Sequence, residues 1–183
     1  IAPILVVIGG ALFFAEHPPM RIWFCLALAL VGSWTMAGLV APNRLGAGDL
    51  YALGAAIFYS SYLLVVKRVR RVLDGPAATL WTAVVSAGVL VVAALVSGET
   101  VIPATPLGWA AVILLGVVSH AGGQGLTSIA LGRVPVGVVA LVLLAWAPAS
   151  AFLAWAVLGE TLNGFQVVGA GIILAALFLA RPN

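Results

Sequence analysis

The run APASAFLAWAVLGE, Ala147 to Glu160, is apolar over a helix length, opens with Pro148 and closes on a single glutamate. An echo near the start, PILVVIGGALFFAE from Pro3 to Glu16, has the same form. Each glutamate is followed by a short polar break and a second apolar run, from Ile22 in one copy and Phe165 in the other. The proline-to-glutamate spacing differs by one residue between them, so the echo is approximate. A recurring pair of apolar helices is the mark of a duplicated membrane protein.

Composition agrees. The 183 residues are 64% hydrophobic and 7% charged, with a mean hydropathy of +1.25. A soluble domain carries about 25% charged residues, so this chain lacks the means to cover itself with a water-facing surface. The sequence predicts an all-α integral membrane protein, a polytopic helical bundle embedded in the lipid bilayer. The net charge of +3 does not signal nucleic acid, because no basic stripe or aromatic platform accompanies it. The lone cysteine, Cys25, allows no disulfide or cysteine metal site within the chain. The first residue already lies in an apolar run and is not methionine, so the chain is read as a fragment lacking its amino-terminal part.

A bilayer core takes about 20 apolar residues per helix. On that ruler seven spans are expected: Ile1–Ala15 (short), Ile22–Val40, Asp49–Val66, Ala77–Val96, Leu107–Leu131, Val136–Leu158 and Gly164–Ala180. None alternates polar with apolar residues, which excludes a β-barrel. Pro18 and Pro19 suit the first turn of the second span. Thr105 before Pro106 reads as an N-cap for the fifth, and Asn163 with Gln166 as a capping box for the seventh.

With seven spans the connections alternate sides. Arg21, Lys67, Arg68, Arg70, Arg71, Arg133 and Arg181 collect on one side, and Arg44 alone on the other. The first side is expected to be cytoplasmic, taking with it the loops at 16–21, 67–76 and 132–135 and the C-terminus. The KRVRR cluster at 67–71 is then a cytoplasmic loop, with anionic-lipid binding as its alternative. Glu16 and Glu160 fall on opposite sides, so the two copies are expected to be inverted, an arrangement suited to alternating access.

Several stretches are similar to the EamA family of the drug/metabolite transporter superfamily: LGET at 158–161, AEHPP at 15–19, GDLYALGAAIFYSSYLLVVKRVRR at 48–71, and GVVSHAGGQGLTSIALGRVPVGVVALVLLAWAP at 116–148. The resemblance implies ten helices in two inverted five-helix repeats, both termini cytoplasmic, and export of amino acids or other metabolites. Residues 1–40 would then end the first repeat and 48–181 would form the second. Two departures stand out. AEHPP lacks the glycine usual before the glutamate, and Ala147-Pro148 lies one residue closer to its glutamate than is usual.

No carboxylate lies mid-span. Glu16 and Glu160 read as helix caps or, with Pro3 and Pro148, as hinges between paired helices. In the fifth span His120, Gln124, Thr127 and Ser128 fall at i, i+4, i+7 and i+8, one face of an α-helix. Such a face lines a wet cavity or hydrogen-bonds a neighbouring helix. Tyr59 is a further cavity candidate. Trp146 and Ser150 flank Pro148, where a kink would free backbone carbonyls for a solute.

The function expected is secondary export of amino acids or other small metabolites or drugs, from the inner membrane of the cell. No cofactor and no metal are expected. Proton coupling would fall on His120, the one mid-membrane titrating candidate, and a homodimer is a further expectation. The rival is an intramembrane enzyme such as a rhomboid-type serine protease, pairing Ser86 with His120. No G-x-S-G run accompanies it. A seven-helix receptor, suggested by the count alone, lacks a mid-span lysine.

Overall fold

The computed structural model describes residues 2–38 and 46–181. The described residues are helical with turns between them and hold no strand. The helices are α1 (Ala2–Phe14), α2 (Met20–Met36), α3 (Ala47–Val69), α4 (Gly75–Val96), α5 (Pro106–Leu114), the π-helix π1 (Leu115–Gln124), α6 (Gly125–Leu131), α7 (Val136–Leu143), α8 (Trp146–Leu158) and α9 (Gly164–Leu179).

Among the described residues four segments reach membrane length: α3, α4, Pro106–Leu131 and Val136–Leu158. At 1.5 Å per residue, the 22 residues of α4 rise about 33 Å, against a hydrocarbon core of about 30 Å. The remaining three, α1, α2 and α9, are apolar but shorter, at 13, 17 and 16 residues. Seven apolar segments were expected, and these are they, with three below spanning length. The expected Val40 end of the second span, and Arg44, lie outside the described residues. Leu90, Val92 and Val96 on α4 and Leu153 and Val157 on α8 are exposed, surface that only lipid or another apolar partner tolerates.

The helices open where the chemistry demands. Asp74 accepts from the Ala77 amide at 2.8 Å, and Thr105 from Gly108 at 3.1 Å. Asn163 and Gln166 form the reciprocal box, at 2.8 and 2.9 Å. These caps satisfy amides that a helix start leaves orphaned. Pro18 and Pro19 differ from expectation: Pro19 is the extended residue before α2, which begins at Met20.

The chain forms two compact units, residues 1–64 with 135–183, and residues 65–134. In the first, Val7, Cys25, Leu26, Ala29, Leu141 and Ala176 make one buried core. α2 and α9 cross closely through glycines. A Cβ on Gly32 would sit 2.8 Å from the Gly169 carbonyl oxygen, and one on Gly169 would sit 2.5 Å from that of Gly32. Arg21, entering α2, donates to the carbonyls of Leu179 and Arg181 at the end of α9, which sets the pair antiparallel.

In the second unit α4 packs on α6. Ser128 is buried and donates to the Gly75 carbonyl at 3.3 Å. Lys67 donates to Val134 O at 2.9 Å, and Arg70 to Ser128 O at 3.0 Å. Two cations of the KRVRR cluster thus cap carbonyls at the end of the fifth span, where a cation is favoured.

Candidate functional site

The first unit holds a pocket of about 180 Å³ around Pro3, Tyr59, Leu63, Leu144 and Trp146. α1 brings Pro3 there because it runs antiparallel to α7. Gly10 lies against Val136, Gly137 against Val7, and the start of α1 reaches Leu144. Tyr59 stacks on Tyr62 at 6.2 Å between ring centroids and meets Trp146 at 6.4 Å. Its hydroxyl is buried and makes no hydrogen bond among the described residues.

The break between α7 and α8 falls beside this pocket. Pro148 has no amide to give the Leu144 carbonyl four residues back, and Ala147 donates there instead at 3.3 Å. Leu144 and Ala145 bond three residues back, to Leu141 and Val142, at 3.1 and 3.0 Å. The α-helical ladder is interrupted at Leu144–Ala145, one turn before the proline, close to where a kink was expected. Ser150 is exposed and donates to the Ala147 carbonyl of its own helix at 3.0 Å.

Glu16 and Glu160 end their helices in the same way. The Glu16 amide donates to Gly10 O at 3.2 Å and the Glu160 amide to Ala154 O at 3.4 Å, each reaching six residues back across a left-handed residue just before the glutamate. That residue is Gly159 in one case, at φ 69°, and Ala15 in the other, at φ 53°. Alanine therefore takes the glycine's conformation, which accounts for the departure at AEHPP. The two glutamates lie at opposite ends of the Val136–Leu158 span. Glu16 accepts from the Val136 amide at its start, at 2.9 Å, and Glu160 follows its last turn.

The fifth span is not α-helical throughout. Across π1 the amides reach five residues back, as Gly125 does to His120 O. Gly116, Gly122 and Gly123 in this stretch favour α-helix poorly. π-helix is rare and occurs mostly as single-turn bulges, frequently at functional sites. The spacing expected of one α-helical face therefore does not carry across π1 to Thr127 and Ser128. His120 lines a groove against α4, while Gln124 is half-buried outside that lining. Thr127 donates to Gly123 O in its own chain turn at 2.9 Å, and Ser128 is spent on Gly75.

The structure thus gathers Pro3, Tyr59 and Trp146 at one pocket and leaves Gln124, Thr127 and Ser150 outside both lined cavities. Sequence reasoning missed the π segment, where glycines hint only at weak α-helix propensity, and the Gly32–Gly169 crossing, which the glycines of the two runs do not by themselves specify. Ser86 is exposed on α4 and is not among the residues lining the groove of His120, so the serine-protease reading gains no support. Among the described residues no three His, Cys, Asp or Glu side chains group as metal ligands would.

Membrane-length apolar helices, one of them interrupted one turn before a proline beside a small aromatic pocket, define a multi-pass membrane protein. The sequence profile of the EamA-like transporter family matches residues 46–181, and the chain belongs to that family: it is a membrane transporter of the drug/metabolite type, whose partners are a small-molecule solute and the lipid bilayer. Comparison with curated proteins and with solved structures gives no match.

Proposed function

We propose that the protein is a secondary exporter of amino acids or other small metabolites or drugs. It works by alternating access between two inverted five-helix repeats, residues 1–40 closing the first and 48–181 forming the second. The observation that carries this reading is the break in the helix at Leu144–Ala145, in the wall of the Tyr59–Trp146 pocket. A helix that can flex there changes access to the pocket without breaking the packed core. The matching closures at Glu16 and Glu160, on opposite ends of one span, support the inversion. The cations that cap helix ends with Lys67, Arg70 and Arg21 support a cytoplasmic placement of their loops, in an inner membrane. Glu16, Pro3, Pro148 and Glu160 act as hinge elements, and His120 is the proton-coupling candidate. No cofactor takes part.

The test is efflux from cells expressing the full-length gene with Tyr59→Ala, Trp146→Ala, His120→Ala or Gln124→Ala. Efflux is expected to fall about tenfold for the first two, the equivalent of about 1.4 kcal/mol. Efflux unchanged in Tyr59→Ala, Trp146→Ala and His120→Ala would remove both cavities from the transport path. In that topology cysteines placed at Val72 and Thr161 should label from opposite sides, with little background from Cys25, which is buried. Labelling from the same side would overturn the inversion.

A further inference from the structure

The groove between α4 and π1–α6 has a volume of about 780 Å³, within the range of about 300–1,000 Å³ for small-molecule sites. Among the described residues no charged side chain lines it. Of its polar side chains, Thr79 is committed to the Gly75 carbonyl at 2.9 Å. His120 is different: its Nε2 is shut off from water and has no hydrogen-bond partner among the described residues. A buried nitrogen in apolar surroundings calls for a partner. At Gly116 and Gly125, two of the lining positions, an added Cβ would meet nothing within 4 Å. The wall beside the histidine is therefore bare backbone, and the wide π turn sets the imidazole among these glycines.

We propose that this groove binds a neutral small molecule with an apolar body and a single hydroxyl, a phenol or comparable alcohol, whose hydroxyl partners His120. A neutral imidazole has one donor and one acceptor nitrogen. A hydroxyl both donates and accepts, so it suits either tautomer, once the imidazole turns about its side-chain bonds to meet it. A zwitterionic amino acid would bring two full charges into a groove that answers neither. Of the solute classes above, this site selects neutral metabolites or drugs. It deepens the exporter reading, and rests on it only for the step from binding to transport.

The experiment uses the full-length protein in lipid nanodiscs and a phenol carrying a photoreactive diazirine. Thymol serves as the neutral competitor and free phenylalanine as the zwitterionic one. Labelling is expected to saturate, to map to residues 76–83 and 116–129, and to yield to thymol but not to phenylalanine. Gly116→Leu and Gly125→Leu fill the groove and should cut labelling at least about tenfold while melting like the parent protein. His120→Phe keeps the volume, removes the hydrogen bond, and should raise the probe concentration needed several-fold.

Labelling that grows linearly with probe and ignores thymol would mean that the groove holds bilayer lipid, and would overturn the proposal. So would equal competition by phenylalanine, or full labelling of both leucine variants. Saturable binding without net movement of thymol would leave the groove standing and count against the exporter reading. Thymol efflux without saturable labelling would do the reverse.

Discussion

The carboxylate of Glu16 accepts a hydrogen bond of 2.9 Å from the backbone amide of Val136, 120 residues further along the chain. One residue thereby ends one helix and begins another. Its own amide closes α1 on Gly10 O, and its side chain fills an amide that α7 leaves orphaned, at the helix end that favours negative charge. The residue is half-buried, so water replaces this bond poorly.

Glu16→Ala should therefore lower stability by about 1–2 kcal/mol, the usual worth of a lost N-cap. Glu16→Gln keeps an accepting oxygen without the charge and should lose less. Thermal melts of the full-length protein in detergent measure both. An alanine variant as stable as the parent would mean that the contact contributes nothing.

The residues before the two glutamates make a pair of opposite sign. Ala15 holds φ 53° and Gly159 φ 69°, and a Cβ in the left-handed region costs about 1–2 kcal/mol. Ala15→Gly should stabilise by about 1 kcal/mol and Gly159→Ala should destabilise by about as much. An added Cβ at Gly159 meets nothing within 4 Å, so the effect there is conformational alone. Melts that shift the same way in both variants would contradict the shared closure.

Much of the helical frame was legible because apolar run length and cap chemistry are local. Asn163, Gln166 and Thr105 announce their helices within four residues. The Glu16–Val136 bond was not legible, because it depends on how distant helices meet. Ala15 hid its left-handed turn, since alanine is a residue that normally avoids it. The grouping of His120 with Thr127 rests on 3.6 residues per turn, and π1 winds wider, which leaves Gln124 near the direction of His120 but carries Thr127 off it. Tyr59, Trp146 and Pro3 come together only because α1 runs back along α7, which no spacing within one helix encodes.

The crossing of α2 and α9 gives a third prediction. A Cβ on Gly169 would lie 2.5 Å from Gly32 O and 2.6 Å from the Met36 amide, backbone atoms that cannot step aside. Gly169→Ala should cost about 1–3 kcal/mol. Gly171→Ala, two residues away with nothing within 4 Å, should be neutral or gain about 0.5–1 kcal/mol from helix propensity. Equal melts for the two variants would remove the close crossing as a source of stability.

Pro148 separates stability from turnover. Replacing it with alanine supplies the amide that Leu144 O lacks from four residues ahead, and lets α7 run into α8 without a break. Pro148 lies in the first turn of α8, where proline is tolerated, so the gain should fall below the roughly 3 kcal/mol of a helix-interior proline. If the break is what opens the Tyr59–Trp146 pocket, Pro148→Ala should melt higher while efflux of the transported solute slows. A variant that melts higher yet exports at the parent rate would show that the break shapes the pocket but does not move during transport. Leu144→Ala is the companion control. It leaves the proline and the backbone pattern in place while trimming the pocket wall, so its effect should fall on solute affinity, leaving the maximal rate near that of the parent.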